Sequence, residues 1–69
     1  LQGTIIESRV RLRASAGTSG KIKTELARGT KVKIIGYARS GSDDWYKVSC
    51  TKNNKKLTGY VFGEFVRIK

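Results

Sequence analysis

The sequence predicts an all-β fold, a small barrel of five to six short antiparallel strands, and three observations predict it. Apolar and polar residues alternate with a period of two in several short runs, which is the signature of strands with one dry and one wet face. The runs are separated by clusters of Gly, Ser, Asn and Asp, the residues that turns require. No segment carries apolar residues at i, i+3, i+4 and i+7 over the length of a helix.

Taken in order, a first strand is expected within Thr4 to Ser8. Val10 and Leu12 then alternate with Arg9, Arg11 and Arg13, a strand with one apolar face and one cationic face. Ala14 to Gly20, made of small residues and two glycines, reads as a loop, and Arg28 to Thr30 as a turn. Lys31, Val32, Lys33 and Ile34 begin another strand. Ile35 breaks the alternation, so this strand is either covered on both sides or bulged, and Gly36 sits where a bulge would be. Arg39 to Asp44 reads as the next turn. Trp45 to Lys52 puts Tyr46, Val48 and Cys50 on one face and Trp45, Lys47 and Ser49 on the other. After the Asn53 to Lys56 turn, Thr58 to Phe62 and Val66 to Lys69 complete the set. Closing the strands into a barrel would remove the exposed edges of an open basic sheet.

Length and charge set the limits of this fold. Sixty-nine residues make one domain, residues 1–69, with no linker, internal repeat or low-complexity tract. A chain near 60 residues buries only about 60% of the surface its unfolded form exposes, which disfavours a deep enclosed pocket. Fifteen Lys and Arg against five Asp and Glu give a formal net charge of +10, yet a hydrophobic content of 38% is too high for a disordered chain. The chain starts at Leu1 and contains no Met, so it is expected to be a processed product or a piece of a longer protein. No apolar run approaches the roughly 20 residues of a membrane span.

Cofactor chemistry finds no ligands. Cys50 is the single cysteine and there is no His, so neither an internal disulfide nor a zinc site can form, and no metal or cofactor is expected. The adjacent Asp43 and Asp44 read as a turn rather than an acid–base pair. Cys50 shares the inward parity of Tyr46 and Val48 and has no His to activate it, so it reads as a buried structural thiol. Nothing here points to an enzyme.

Aromatic residues are the better candidates for binding. Core parity belongs to Tyr46 and Val48, which turns the Trp45 indole outward, either as a ligand contact or as a lid folded over the rim of the core. Tyr60 and Phe62 share one face of their strand. Phe65, Tyr37 and Tyr46 are read as core or core margin.

The ordered pieces Val10 Arg11 Leu12 Arg13, Ile22 with Leu26, Gly29 Thr30 Lys31 Val32 Lys33 Ile34, Trp45 Tyr46 Lys47 Val48 and Gly59 Tyr60 Val61 span nearly the whole chain. In that order and spacing the sequence resembles a bacterial SH3 domain of the SH3b family, found on cell-wall hydrolases and surface proteins. The resemblance implies an SH3-like barrel with a short 3₁₀ turn, near Phe65, before the last strand. It also implies a non-catalytic module that binds the bacterial cell wall and anchors a larger hydrolase or surface protein, outside the cell. Departures from the family lie in the Ala14 to Gly20 loop, which has Ala14, Ser15 and Ala16 where Gly, Pro and Ser are common. The acidic, tyrosine-rich residues that read polyproline are also missing there.

On this reading the ligand-binding residues are Trp45, Tyr60 and Phe62, with Arg13 and Ser15 where the loop edges the groove. The expected ligand is a peptidoglycan peptide or an anionic wall polymer, drawn in by the positive field of Arg9, Arg11, Arg13, Lys31 and Lys33. Two alternatives compete: a small basic barrel that binds nucleic acid through Lys, Arg and aromatic residues, or an interaction and spacer domain with no glycan ligand.

Overall fold

A computed structural model of the chain describes residues 1–68. It is all-β, with seven strands: β1 (Gln2–Ile5), β2 (Val10–Arg13), β3 (Ile22–Leu26), β4 (Lys31–Ser40), β5 (Asp43–Lys52), β6 (Lys55–Phe62) and β7 (Val66–Ile68). A single 3₁₀ turn, Gly63–Phe65, precedes the last strand as expected. The strands form one antiparallel sheet in the order β3-β2-β6-β5-β4-β1-β7. Its inner face supplies one core, built from Ile5, Val10, Leu12, Leu26, Val32, Val48, Cys50, Val61 and Val66. Every strand contributes to that cluster, so the sheet curls around it.

Local chemistry sets the turns. Asn53 and Asn54 join β5 to β6 with φ of 52° and 65°, both in the left-handed region that a two-residue I′ hairpin demands and that Asn tolerates best after Gly. Gly41 and Ser42 alone join β4 to β5. In β4 the register slips between Ile34 and Gly36, so the break in alternation at Ile35 is a bulge, and Ile35 points to solvent.

Several expectations are corrected here. There are seven strands rather than five to six, because Ile22–Leu26 pairs with β2 despite its polar composition. The first strand lies at Gln2–Ile5, not within Thr4 to Ser8. Asp43 and Asp44 open β5 opposite Ser40 and Arg39 instead of forming a turn. Tyr37 is 60% exposed, far from the core margin, its ring edge-on to Tyr46 at 6.1 Å and its hydroxyl bonded to Asp44 at the surface. The last strand ends at Ile68, and Lys69 lies outside the described residues.

The barrel's ladder does not close. β3 and β7 end the sheet without pairing to each other, so two edges persist. Beyond its ladder to β2, β3 is anchored by lysine side chains. Lys52 Nζ donates to Thr24 Oγ1 at 2.9 Å and to the Glu25 carbonyl at 2.6 Å, and Lys23 Nζ donates to the Thr58 carbonyl.

The Asn53–Asn54 hairpin gives a direct check on this account. Asn54→Ala places an L residue without a locally hydrogen-bonding side chain in the left-handed region. It should lower stability by about 1 kcal/mol in chemical denaturation, whereas Asn54→Gly should match or exceed the parent.

Candidate functional site

The site begins with a backbone crossing. β2 pairs with β3 along its length but meets β6 at one residue pair, Arg13 opposite Tyr60. Next to that pair, a Cβ on Gly59 would lie 2.7 Å from the Arg13 carbonyl oxygen and 2.8 Å from Leu12 Cγ. Only glycine lets the two backbones approach this closely. No further β2–β6 pairing follows. The space between β2 and the end of β6 is a groove of about 480 Å³.

One wall of the groove is cationic and the other aromatic. Arg9, Arg11 and Arg13 line it from β2 and the residue before it, with Thr18 from the following loop and two carboxylates, Glu25 of β3 and Asp43 at the start of β5. Arg9 holds φ at 55°, a conformation costing an L residue roughly 1–2 kcal/mol, at the point where the wall begins. Opposite stand Trp45, Phe62 and Phe65. Trp45 is the cross-strand partner of Phe62, their ring centroids 5.6 Å apart and the rings inclined at 71°. Phe62 in turn meets Phe65 at 5.2 Å and 64°. Edge-to-face pairs of this kind contribute about 0.5–1.5 kcal/mol each beyond the area they bury, so the aromatic wall is rigid.

Trp45 corrects one expectation. It lies on the sheet face opposite Val48, as alternation along β5 indicates, but the indole does not turn out to solvent. Only 3% of the residue is exposed, with Phe62 packed against it, which is the lid reading. The indole nevertheless lines the groove, and its Nε1–H has no protein acceptor. A buried donor left unpaired costs about 1–3 kcal/mol, a cost this structure carries at Trp45.

Of the five residues expected to bind, the groove brings together Trp45, Phe62 and Arg13. Tyr60 is half-buried outside the lining, between Arg13 and Lys47 in register. Ser15 is exposed on the loop, also outside the lining, and Thr18 takes the loop's place in the groove. Arg13 has a second duty. Its Nη1 donates to the carbonyls of Thr18 and Gly20, each at 2.8 Å, and the Ala14 N–H donates to the Lys21 carbonyl at 2.8 Å, so the loop is clamped. Gly20 fits because a Cβ there would sit 2.5 Å from the Ser15 carbonyl oxygen.

Arg9, Arg11 and Phe65 were not singled out as site residues. The parity of the three arginines was legible, but that this face meets Phe62 follows from the Arg13–Tyr60 register, which no local pattern encodes.

The carboxylates form no acid–base pair. Asp44 Oδ1 accepts a hydrogen bond from the Tyr37 hydroxyl at 2.6 Å and stands 3.7 Å from Arg39 Nε. The bond to Asp44 holds the Tyr37 hydroxyl above its ordinary pKa. Asp43, Asp44 and Glu64 line a separate hollow of about 240 Å³ beyond Phe62. Burial pushes the Cys50 thiol up from its ordinary value, in keeping with its place in the core.

A curled antiparallel sheet, a 3₁₀ turn before its last strand and an aromatic groove beside the loop after β2 together define a small domain of the SH3 type. A family model described as the bacterial SH3 domain matches residues 8–67, and the chain belongs to that family. No curated protein and no solved structure matches it significantly.

Two outcomes follow from these contacts. Arg13→Ala should cost about 1–2 kcal/mol and speed amide exchange of Ala14 and Gly20 at least several-fold in hydrogen-exchange NMR, while leaving β5 protected. Cys50 should resist alkylation at pH 8 in the folded chain and react at the rate of a free thiol once denaturant unfolds it.

Proposed function

We propose that this domain is a non-catalytic cell-wall-binding module whose groove holds a short peptide of peptidoglycan, positioning a larger hydrolase or surface protein outside the cell. The observation that carries the reading is a groove that sets Trp45, Phe62 and Phe65 against Arg13 and the exposed Arg9 and Arg11. Membership of the bacterial SH3 domain family supports it. No helix among the described residues is long and apolar enough to cross a membrane.

Recognition rests on three physical features. The rigid aromatic wall offers contact area with little side-chain entropy to lose. The arginines meet carboxylates of the stem peptide, where the planar guanidinium can bind in bidentate fashion. Tyr60 and Ser15, on either side of Arg13, receive a ligand longer than the groove. Affinity at such an open site is modest, and it becomes effective by raising the local concentration of an attached partner at the wall.

Retention on purified peptidoglycan stripped of anionic polymers tests this reading. Trp45→Phe shrinks the aromatic wall and should reduce retention about fivefold, with the fold retained in circular dichroism. Arg9→Gln with Arg11→Gln should weaken it further. Unchanged retention by both variants rejects the groove, and a steep fall of affinity for oligonucleotides with rising salt, without retention on the wall, would favour nucleic acid instead.

A further inference from the structure

The outer face of β7, β1, β4, β5 and β6 carries a second surface, away from the aromatic wall. Register places Lys33 between Gln2 on β1 and Ser49 on β5, and Ser49 faces Thr58 on β6. Two residues along the strands, Lys31 stands beside Thr4, which faces Arg67 on β7, and Thr51 faces Lys56. Further along β5, Lys47 faces Gly36. Cross-strand partners project to the same side, so Lys31, Lys33, Lys47, Lys56 and Arg67 share one face. The carboxylates lie elsewhere: Glu7 beside Arg28, Glu25 opposite Arg11, and Asp43, Asp44 and Glu64 at the hollow beyond Phe62. None of the five cations takes part in a salt bridge among the described residues.

An aliphatic side chain stands among these charges. Ile35 lies two residues from Lys33 on β4 and is 49% exposed, while its neighbour Ile34 packs against the core. Next on this face comes Gly36, which has no side chain to cover it, at the point where the bulge slips the register. Leu1, 71% exposed, borders the same point, its carbonyl accepting the Ile34 N–H at 2.7 Å. The surface therefore combines a field of one sign with an exposed apolar residue inside it.

We propose that this face docks the domain on an anionic phospholipid bilayer, with its lysines and Arg67 at the headgroups and Ile35 inserted just beneath them. The cations come from four strands, so they form a two-dimensional array, which matches a plane of headgroups better than a single linear chain. A Lys or Arg close to an anionic membrane adds about fivefold to binding, and the effect fades within a Debye length of the surface. Lysine stems lie along the interface while their ammonium groups reach the phosphates. Ile35 separates a bilayer from a soluble polyanion, because only the bilayer has an apolar phase below its charges. Trp45 and Ser49 are four residues apart on β5, roughly 13 Å, so docking on this face leaves the groove free to hold its own ligand.

Co-sedimentation of the 69-residue chain with phosphatidylcholine vesicles, with and without about one-third phosphatidylglycerol, tests the proposal. The chain should sediment with the anionic vesicles and stay in solution with the neutral ones. Ile35→Gln should lower partitioning about fivefold while leaving affinity for a soluble polyphosphate within about twofold, and Ile35→Leu should restore partitioning. Lys31→Gln, Lys33→Gln and Lys56→Gln together should cost at least about twentyfold, against at most about threefold for the same charge change elsewhere, Lys21→Gln, Arg28→Gln and Arg39→Gln. All of these positions are exposed, and circular dichroism melts confirm that each variant folds. No binding of the parent chain to anionic vesicles overturns the proposal. So does full vesicle binding by Ile35→Gln, an equal loss by that variant on vesicles and polyphosphate, or equal losses by the two triple variants.

Discussion

The close approach of β2 and β6 at Gly59 is the constraint on which the rest of this domain depends. With no Cβ there, the Arg13 carbonyl and the Leu12 side chain can lie against β6, and the strands meet at one pair before the pairing stops. That single crossing seals the core on its inner side, where Leu12 and Val61 are fully buried, and leaves a groove on its outer side. It also fixes Arg13, whose guanidinium then holds the following loop over the end of the groove. Core closure, loop shape and groove width are therefore consequences of one backbone contact.

The molecule separates its chemistry by sheet face. No polar or charged side chain is buried among the described residues, so the cationic groups are all at or near the surface. They are not spread evenly. Three of the five carboxylates gather beyond Phe62, Glu25 sits opposite Arg11, and the face formed by β1, β4 and β5 is left with lysines alone around its hollow. A net charge of +10 thus resolves into two unlike surfaces, an aromatic groove with mixed charge and a hollow lined by lysines without carboxylates.

Much of this was legible in the sequence, and the failures have physical causes. Alternation identified β2 and the two faces of β5, and the interruption at Ile35 marked the bulge. β3 escaped because Ile22 is 44% exposed and Leu26 alone of its residues is buried, so this strand exists through its ladder to β2 rather than through a hydrophobic face. Trp45 shows a second limit. Alternation assigns a side chain to a sheet face, but it cannot say whether another layer covers that face, and here Phe62, Phe65 and the clamped loop supply one. The turn expected at Asp43 and Asp44 failed because Gly41 and Ser42 reverse the chain in two residues, freeing both aspartates to pair. The binding residues were partly legible for the same reason: Trp45, Phe62 and Arg13 meet in the groove, whereas the contributions of Arg9, Arg11 and Phe65 depend on a register set by long-range pairing.

The Trp45 indole resonance reports most directly on the claim that the crossing at Gly59 creates a binding groove. In a ¹⁵N correlation spectrum titrated with a soluble peptidoglycan stem peptide, the Nε1–H signal should shift progressively, together with the amides of Arg11, Thr18 and Phe62. A peptide that binds while leaving the indole signal in place, or that shifts only residues of the lysine face, would contradict the account.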